Sequence, residues 1–270
     1  MTNEQVKLIP RELRELIELN FPTARFLSEE EQAKYEEACK QFSGKAADNL
    51  RIGINGSNLF KVLLLNQIGI RTTTLPELES ALENGLALQG FYEDVPSIIL
   101  RSAGDSYSQN DYLARSLAKF LGITEFKVPL IVNGLEVVAD DKSQYGLGFK
   151  RTDKTQVIEA PSLSHGNNQK RFFRISQDYS VKFDEKGSRT LYTRDNGISR
   201  LCLYRGSDLD SRIEDLACSN DYGRVVVVGS GEASAKNFEN YLSQLNSERQ
   251  AQIAEVEKRY ANAMRVLKGN

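Results

Sequence analysis

The side chains best suited to binding a ligand are concentrated between Leu201 and Gly223, where apolar and small polar residues alternate. This stretch holds two of the three cysteines, no Lys, Gln, Met or Trp, and a single Glu, Glu214. Every other residue in it is of a type that an Asn codon can give when only its first two bases change. Tyr, Ser, Gly, Asn and Asp are also the residues that antibody paratopes favour. We therefore interpret the stretch as a diversified binding surface held between fixed hydrophobic residues.

This interpretation divides the stretch into contact residues and backbone supports. We expect the contact residues to cluster on one exposed face and to bind the ligand; they are Cys202, Tyr204, Arg205, Gly206, Ser207, Asp208, Asp210, Arg212, Ile213, Cys218, Asn220, Asp221 and Tyr222. We expect the supports to fix the backbone, with the apolar ones pointing inward; they are Arg200, Leu201, Leu203, Leu209, Asp215, Leu216, Arg224, Val225 and Val226. A guanidinium has five N–H donors, enough to bind loop carbonyls, and an aspartate such as Asp215 could receive it.

Catalytic patterns are weaker than this binding pattern. A hydrolase could use Ser162 or Ser164 with His165, the only histidine, but no G-x-S-x-G motif precedes them and the setting is typical of a solvated loop. The cysteines have no neighbouring histidine or basic cluster to activate a thiolate. Asp208, Asp210 and Asp215 could offer oxygens to calcium, although an EF-hand loop is absent. We expect no catalysis, no cofactor and no bound metal.

Composition restricts the partners. A formal net charge of -2 gives no basic field for nucleic acid, and no apolar run is long enough to span a bilayer. The first residues lack the charged-then-apolar layout of a signal peptide, which favours the cytoplasm by default and leaves surface display open. Three cysteines without short spacing argue against a disulfide framework and against a zinc site. The expected partner is a protein or a carbohydrate, such as one on another cell surface.

Hydrophobic periodicity predicts helices at the two ends and short strands in the middle. The predicted helices cover residues 10–20, 28–43, 57–68, 74–86, 110–121 and 234–267. The predicted strands cover residues 50–54, 97–101, 128–132, 135–138, 147–150, 157–159, 171–175, 191–193 and 225–228. Asn133-Gly134 predicts a hairpin turn, and the β-branched run 225–228 predicts a central buried strand. The sequence is therefore expected to be α+β.

Four blocks of the chain resemble the variable proteins of archaeal, specifically nanoarchaeal, diversity-generating retroelements. They are GFYEDVPSIILRS at 90–102, YGLGFKRTD at 145–153, APSLSHGNN at 160–168 and SRLCLYRGSDLDSRIEDLACSNDYGRVVVV at 199–228. The resemblance implies a C-type lectin fold in which a reverse transcriptase that mutates adenines rewrites one coding segment. It also implies a protein without catalytic activity whose hypervariable surface recognises variable ligands.

These expectations give a domain plan. Residues 1–46 form an N-terminal helical segment, residues 47–232 form a C-type lectin-like domain with its diversified region at about 199–228, and residues 233–270 form a long C-terminal helix. We expect that helix to pack on the N-terminal helices of the same chain. The alternative is that it joins copies of the chain, which would make the protein a structural assembly protein. The protein would accordingly be a monomer or a helix-mediated oligomer.

Overall fold

Helices and strands are both present among the residues that the computed structural model describes, which are 24–53, 56–88, 92–104, 107–204, 207–219 and 222–228. These residues contain five α-helices and eleven β-strands, so the α+β class is confirmed. They belong to one compact unit, Ala24–Val228. The helices predicted at 10–20 and 234–267 lie outside the described residues, and the proposed domain limits stay predictions.

The helices begin where the sequence offers capping groups. They are α1 (Glu29–Cys39), α2 (Gly44–Arg51), α3 (Leu59–Gln67), α4 (Leu75–Glu83) and α5 (Ser108–Leu121). Ser28 and Glu31 form the capping box that starts α1, and Thr74 and Glu77 form the one that starts α4. The helices predicted at 28–43, 57–68, 74–86 and 110–121 are confirmed. The strand predicted at 50–54 is wrong for its described residues, because Leu50 and Arg51 belong to α2, in which Leu50 is buried together with Ala46 and Ala47.

Most strands belong to one mixed sheet. The strands are β1 (Ala24–Phe26), β2 (Tyr92–Leu100), β3 (Leu130–Ala139), β4 (Leu147–Glu159), β5 (Arg171–Ile175), β6 (Val181–Phe183), β7 (Arg189–Tyr192), β8 (Ile198–Tyr204), β9 (Asp208–Asp210), β10 (Gly223–Arg224) and β11 (Val226–Val228). Nine of them form a sheet in the order β4-β3-β2-β8-β9-β7-β5-β6, with β10 paired in parallel to β2. The remaining two, β1 and β11, pair with each other in antiparallel fashion.

The region around Asn133 and Gly134 differs from the predicted hairpin. Residues 130–139 form the single strand β3, and residues 147–159 form its antiparallel partner β4. Gly134 has the positive φ of +70° that a hairpin turn would require, but it uses this conformation in a β-bulge. A bulge and a tight turn need the same backbone freedom, so the local sequence alone does not distinguish them.

The sheet has a hydrophobic core on each face. Ile98, Leu100 and Ile198 pack with helices α1, α2, α3 and α5, whereas Ile99, Leu201 and Leu203 pack on the opposite face with α4. We call these the helical face and the α4 face. Strand residues alternate between the two faces. The polar residues Asp94, Cys202 and Asp210 therefore share the helical face at one end of the sheet, because they are paired across β2, β8 and β9.

The run of valines lies outside the nine-stranded sheet. Val226 and Val227 are buried, as expected, but among the described residues β11 pairs with β1 alone, apart from one isolated bridge from Val227 to Thr72. The prediction of a central strand at 225–228 is thus wrong. The valines are buried because α4, α3 and β1 cover them, and burial by helices gives the same β-branched pattern as burial inside a sheet.

Candidate functional site

The candidate binding residues are brought together where four strands end. Tyr92 of β2 pairs with Tyr204 of β8 on one side and with Gly223 of β10 on the other. Tyr204 in turn pairs with Asp208 of β9. Neighbouring strands lie about 4.8 Å apart, so Tyr204 is roughly 10 Å from the residue that follows Tyr222. Residues 204 and 223, which flank most of the predicted contact residues, therefore lie at the same end of these strands.

Between these ends, residues 211–219 form an irregular loop over the helical face of the sheet. Leu216 and Ala217 are buried in the core shared with the helices, so they anchor the middle of the loop. Asp215 accepts hydrogen bonds from the amides of Ala217 and Cys218, both at 3.1 Å. Asp215 thus stabilises a local turn, and the expectation that it receives an arginine is wrong. The loop is fixed at its centre although it contains neither helix nor strand.

The backbone of this segment is hydrogen-bonded by buried side chains that come from many parts of the chain. Arg101 donates to the carbonyl of Ser211 at 2.9 Å, and Asn110 donates to that of Glu214 at 2.8 Å. Four further contacts are Arg189 to the Ser207 carbonyl, Asn58 to the Ala217 carbonyl, Arg200 to the Cys218 carbonyl, and the Leu216 amide to the hydroxyl of Tyr145. Loop carbonyls that would otherwise lose water on burial are therefore paired.

We call Arg101, Asn110, Arg189 and Arg200 the supporting side chains. All four are buried, and each is itself held in place. Arg101 also donates to the hydroxyls of Ser199, Thr193 and Ser211, at 2.8 to 3.0 Å. Arg189 forms a buried ion pair with Glu79, whose two carboxylate oxygens lie 2.5 and 2.7 Å from its Nη1. A support that is fixed in this way positions the carbonyl it binds without help from the exposed side chains.

Arg200 is the most enclosed of the three supporting arginines. Its Nε lies 3.0 Å from Oδ1 of Asp94, both side chains are almost completely buried, and its guanidinium lies over the ring of Tyr92. Ser57 donates its hydroxyl to the other oxygen of Asp94 at 2.7 Å. Burial raises the pKa of the Asp94 carboxyl, while the charge of Arg200 lowers it. This pair lies directly beneath residue 218 of the loop.

Two predicted contact residues are buried, and their assignment is corrected. Cys202 is 0% exposed and Asp210 is 1% exposed, so neither can reach a ligand. They point away from the α4 face, as the alternation with Leu201, Leu203 and Leu209 requires, but the 211–219 loop covers the face they point to. Asp210 pairs with Arg212 at 3.1 Å, and burial raises its pKa. Burial likewise raises the pKa of the Cys202 thiol.

The other described contact residues keep some exposure. Tyr222 is 60% exposed; Arg212 and Cys218 are exposed, and Tyr204, Ser207, Asp208 and Ile213 are partly so. The guanidinium of Arg212 stacks over the ring of Tyr192, at 4.3 Å from its centroid. Arg205, Gly206, Asn220 and Asp221 lie outside the described residues. We call the exposed and partly exposed set the recognition surface: Tyr204, Ser207, Asp208, Arg212, Ile213, Cys218 and Tyr222.

The predicted scaffold residues have mixed positions. Leu201, Leu203, Leu209, Leu216, Val225 and Val226 are all buried. Arg200 binds a loop carbonyl, as its donors allow, whereas Arg224 donates to the carbonyl of its own neighbour, Gly223, at 2.8 Å. Sequence reasoning missed Arg101, Asn110 and Arg189. They lie 18 to 110 residues from the carbonyls they bind, and no local pattern marks them.

The alternative catalytic group is not assembled among the described residues. His165 is exposed at the start of a short 3-10 turn, and Ser162 accepts a hydrogen bond from the amide of Val181 at 3.2 Å. Within the described part of the chain, no hydrogen bond joins His165 to Ser162 or Ser164. Among these same residues, no three His, Cys, Asp or Glu side chains lie close enough together to hold a metal ion. Asp208, Asp210 and Asp215 instead bind different groups, the amide of Thr190 being the partner of Asp208.

Two further observations concern the chain as a whole. Within the ranges that the structure describes, no helix combines the length and the apolar character needed to cross a bilayer. Comparison of the chain with protein-family models, with curated proteins and with solved structures gives no match.

Proposed function

We propose that the protein is a ligand-binding protein whose recognition surface accepts many different side chains on a fixed backbone. The observation that carries the proposal is the source of the hydrogen bonds to residues 207–219. Their carbonyls are bound by Arg101, Asn110, Arg189 and Arg200, and none of these belongs to the recognition surface. These buried donors hold the loop carbonyls from within the core, so we expect the exposed side chains that do not pair with buried groups to be exchangeable at small cost in stability.

The chemistry of the recognition surface favours a macromolecular ligand. Tyr222 and Tyr204 offer rigid aromatic area with a hydroxyl, and Ser207 and Asp208 offer adaptable hydrogen bonding, which is the combination that paratopes use. Arg212, stacked on Tyr192, adds a preorganised cation. The surface carries both signs of charge, so the ligand is expected to be a protein or a carbohydrate rather than a polyanion such as nucleic acid.

We further propose that a retroelement diversifies this surface and that the Ala24–Val228 unit is a C-type lectin-like domain. Both parts rest on the sequence resemblance, and the α+β content is compatible with the second. The restriction of the 199–228 segment, apart from Glu214, to residue types that an altered Asn codon can give supports the first part. Sequencing the encoding locus is the direct test: a near-copy of the segment with adenines at the substituted positions, beside a reverse-transcriptase gene, is expected. A locus with neither would contradict diversification by a retroelement.

A pair of display libraries tests the binding function. The first library varies Tyr204, Ile213, Cys218 and Tyr222 with codons whose first two bases are random. The matched control library varies the four supporting side chains with the same codons. We expect most members of the first library to fold and to yield binders against a panel of cell-surface proteins and glycans. We expect most members of the control library to be unfolded, and equal losses in both would contradict the proposal.

A further inference from the structure

A second candidate site lies away from the recognition surface. A cavity of 540 Å³ opens between the α3–α4 connection and strands β2, β3 and β4. None of its lining residues belongs to the 199–228 segment. Small-molecule sites commonly enclose about 300 to 1,000 Å³, so the cavity has the size of a ligand site. We call it the bulge cleft.

Three neighbouring strands depart from regular pairing at this cleft. Pro96 lies within the register shift between β2 and β8, and Gly134 lies within the shift between β3 and β4. Ser97 pairs with Asn133, so the two irregularities are adjacent across the sheet. On β4 the pairing passes from Arg151 directly to Gln156, which leaves residues 152–155 looped out. Bulges often reshape a sheet beside a functional site, and here they open the cleft.

The looped-out residues are held firmly. The hydroxyls of Thr152 and Thr155 both donate to the carbonyl of Gly134, at 2.8 and 3.0 Å. A Cβ at residue 134 would overlap the backbone carbonyl of Lys154, and the φ of +70° also favours glycine there. The cleft is therefore a preformed feature of the fold, which lowers the cost of ordering it around a ligand.

The lining divides into a neutral floor and a charged rim. On the floor, Asn66 and Thr72 bond to each other twice, and Asn133 bonds to Ser97 and Tyr179, so these groups need no ligand. The rim carries two cations and two anions, which are Arg71, Lys154, Asp153 and Glu136. Among the described residues, Asp153 and Lys154 form no ion pair, whereas Glu136 is paired with Lys150 and Arg71 with Glu77.

The positions of these charges define the ligand chemistry. Arg71 lies on the helix side of the cleft, and Asp153 lies on the strand side. Asp153 has no ion-pair partner among the described residues, and Arg71 contacts Glu77 through one guanidinium nitrogen only, so the rim offers one group of each sign to a molecule that carries one charge of each sign. A sphere of the cavity's volume is about 10 Å across, and the termini of an extended dipeptide are roughly 7 Å apart.

We propose that the bulge cleft binds a short peptide with free termini, of dipeptide size. Its carboxylate is held by Arg71 through the guanidinium nitrogens that do not contact Glu77, and its ammonium is held by Asp153. This proposal does not depend on the recognition surface.

Calorimetric titration of the full chain with dialanine tests the proposal, with N-acetyl-dialanine and dialanine amide as ligands that each lack one charge. We expect dialanine to bind with a Kd of about 1 mM or tighter. Each capped ligand should bind at least tenfold more weakly, since it loses one charge-assisted hydrogen bond. Because the capped ligands are compared on the unaltered protein, this result does not depend on the folding of any variant.

Matched variants locate the site. Arg71→Gln and Asp153→Asn should each weaken dialanine binding at least tenfold. Two control variants should leave dialanine binding unchanged: Arg174→Gln, at an exposed position away from the cleft, and Tyr222→Ala, on the recognition surface. Binding that is equal for the capped and free peptides, that is lost in Tyr222→Ala, or that is absent at millimolar concentration would overturn the proposal. Loss in Tyr222→Ala would place the peptide on the recognition surface and leave the proposed function standing.

Discussion

Replacing Arg200 with Met should destabilise the protein by about 3 to 5 kcal/mol, the usual cost of removing one partner of a buried ion pair. The variant keeps most of the side-chain volume but removes the guanidinium 3.0 Å from Asp94. The Asp94 carboxylate would remain fully buried, with the Ser57 hydroxyl and its remaining neighbours to stabilise it. The carbonyl of Cys218 would also lose its donor. Urea denaturation followed by circular dichroism measures the difference in the free energy of unfolding.

Two controls separate the ion pair from a general effect of losing an arginine. Arg174→Met removes an exposed guanidinium on β5 and should change the free energy of unfolding by less than about 0.5 kcal/mol. Asp94→Asn, added to Arg200→Met, removes the buried charge and should recover part of the lost stability. A cost below about 1 kcal/mol for Arg200→Met, or no recovery in the double variant, would refute the reasoning.

The pH dependence of the Arg200→Met variant follows from the same pair. Burial raises the pKa of Asp94 in the folded protein, and the Arg200 charge is what opposes that rise. Without Arg200, the pKa of Asp94 in the folded variant rises further above its value in the unfolded chain. The variant therefore keeps its stability below the unfolded pKa of Asp94 and loses stability as the pH rises through the folded pKa. The difference between Arg200→Met and the unaltered protein should therefore shrink as the pH is lowered from 7 towards 4.

Three further predictions concern single residues. Ser207 has a φ of +78°, a backbone conformation that favours glycine and disfavours β-branched residues. In thermal unfolding, Ser207→Gly should therefore stabilise the protein by about 0.5 to 1 kcal/mol, and Ser207→Val should destabilise it. The opposite order of stabilities would contradict the turn geometry. Glu31 pairs with Arg25 and caps α1, and these contacts lower the pKa of its carboxyl to about 2. Glu31→Gln should cost about 1 kcal/mol at pH 7 and only a small fraction of that at pH 2, because this stability is lost as the pH falls from about 4.5 through 2. A cost independent of pH would argue against the ion pair. Gly223→Ala would place a Cβ against the ring of Tyr92. We expect this substitution to lower the free energy of unfolding, measured by urea denaturation, by about 1 to 3 kcal/mol. An unchanged denaturation midpoint would contradict the close packing.

The sequence predicts the local elements better than the contacts between them. Ser28 with Glu31 and Thr74 with Glu77 mark helix starts through bonds within four residues, so both could be read from spacing. Gly134 shows the limit of such reading, since its positive φ serves a bulge that only the pairing of β3 with β4 decides. Leu50 shows another limit, because one apolar residue in a short run fits a helix as well as a strand.

The candidate site was predictable in part. The alternation of Leu201 and Leu203 correctly assigns the α4 face of β8, and it therefore also assigns Cys202 to the other face. Period-two alternation does not say whether that other face meets solvent, and the 211–219 loop buries it. Arg101, which follows β2, and Arg189, which begins β7, could not be found from the sequence, since a lone arginine gives no sign of the carbonyl that it will bind after the chain folds.

Hydrogen exchange of the loop amides tests most directly whether the backbone is independent of the exposed side chains. The triple variant Tyr204→Ser, Cys218→Ser and Tyr222→Ser changes the recognition surface and leaves every supporting side chain in place. The amides of residues 211, 216, 217 and 218 are hydrogen-bonded within the protein, so they should be protected. We predict protection within about threefold of that in the unaltered protein, whereas exchange that is tenfold faster or more at these amides would contradict the account.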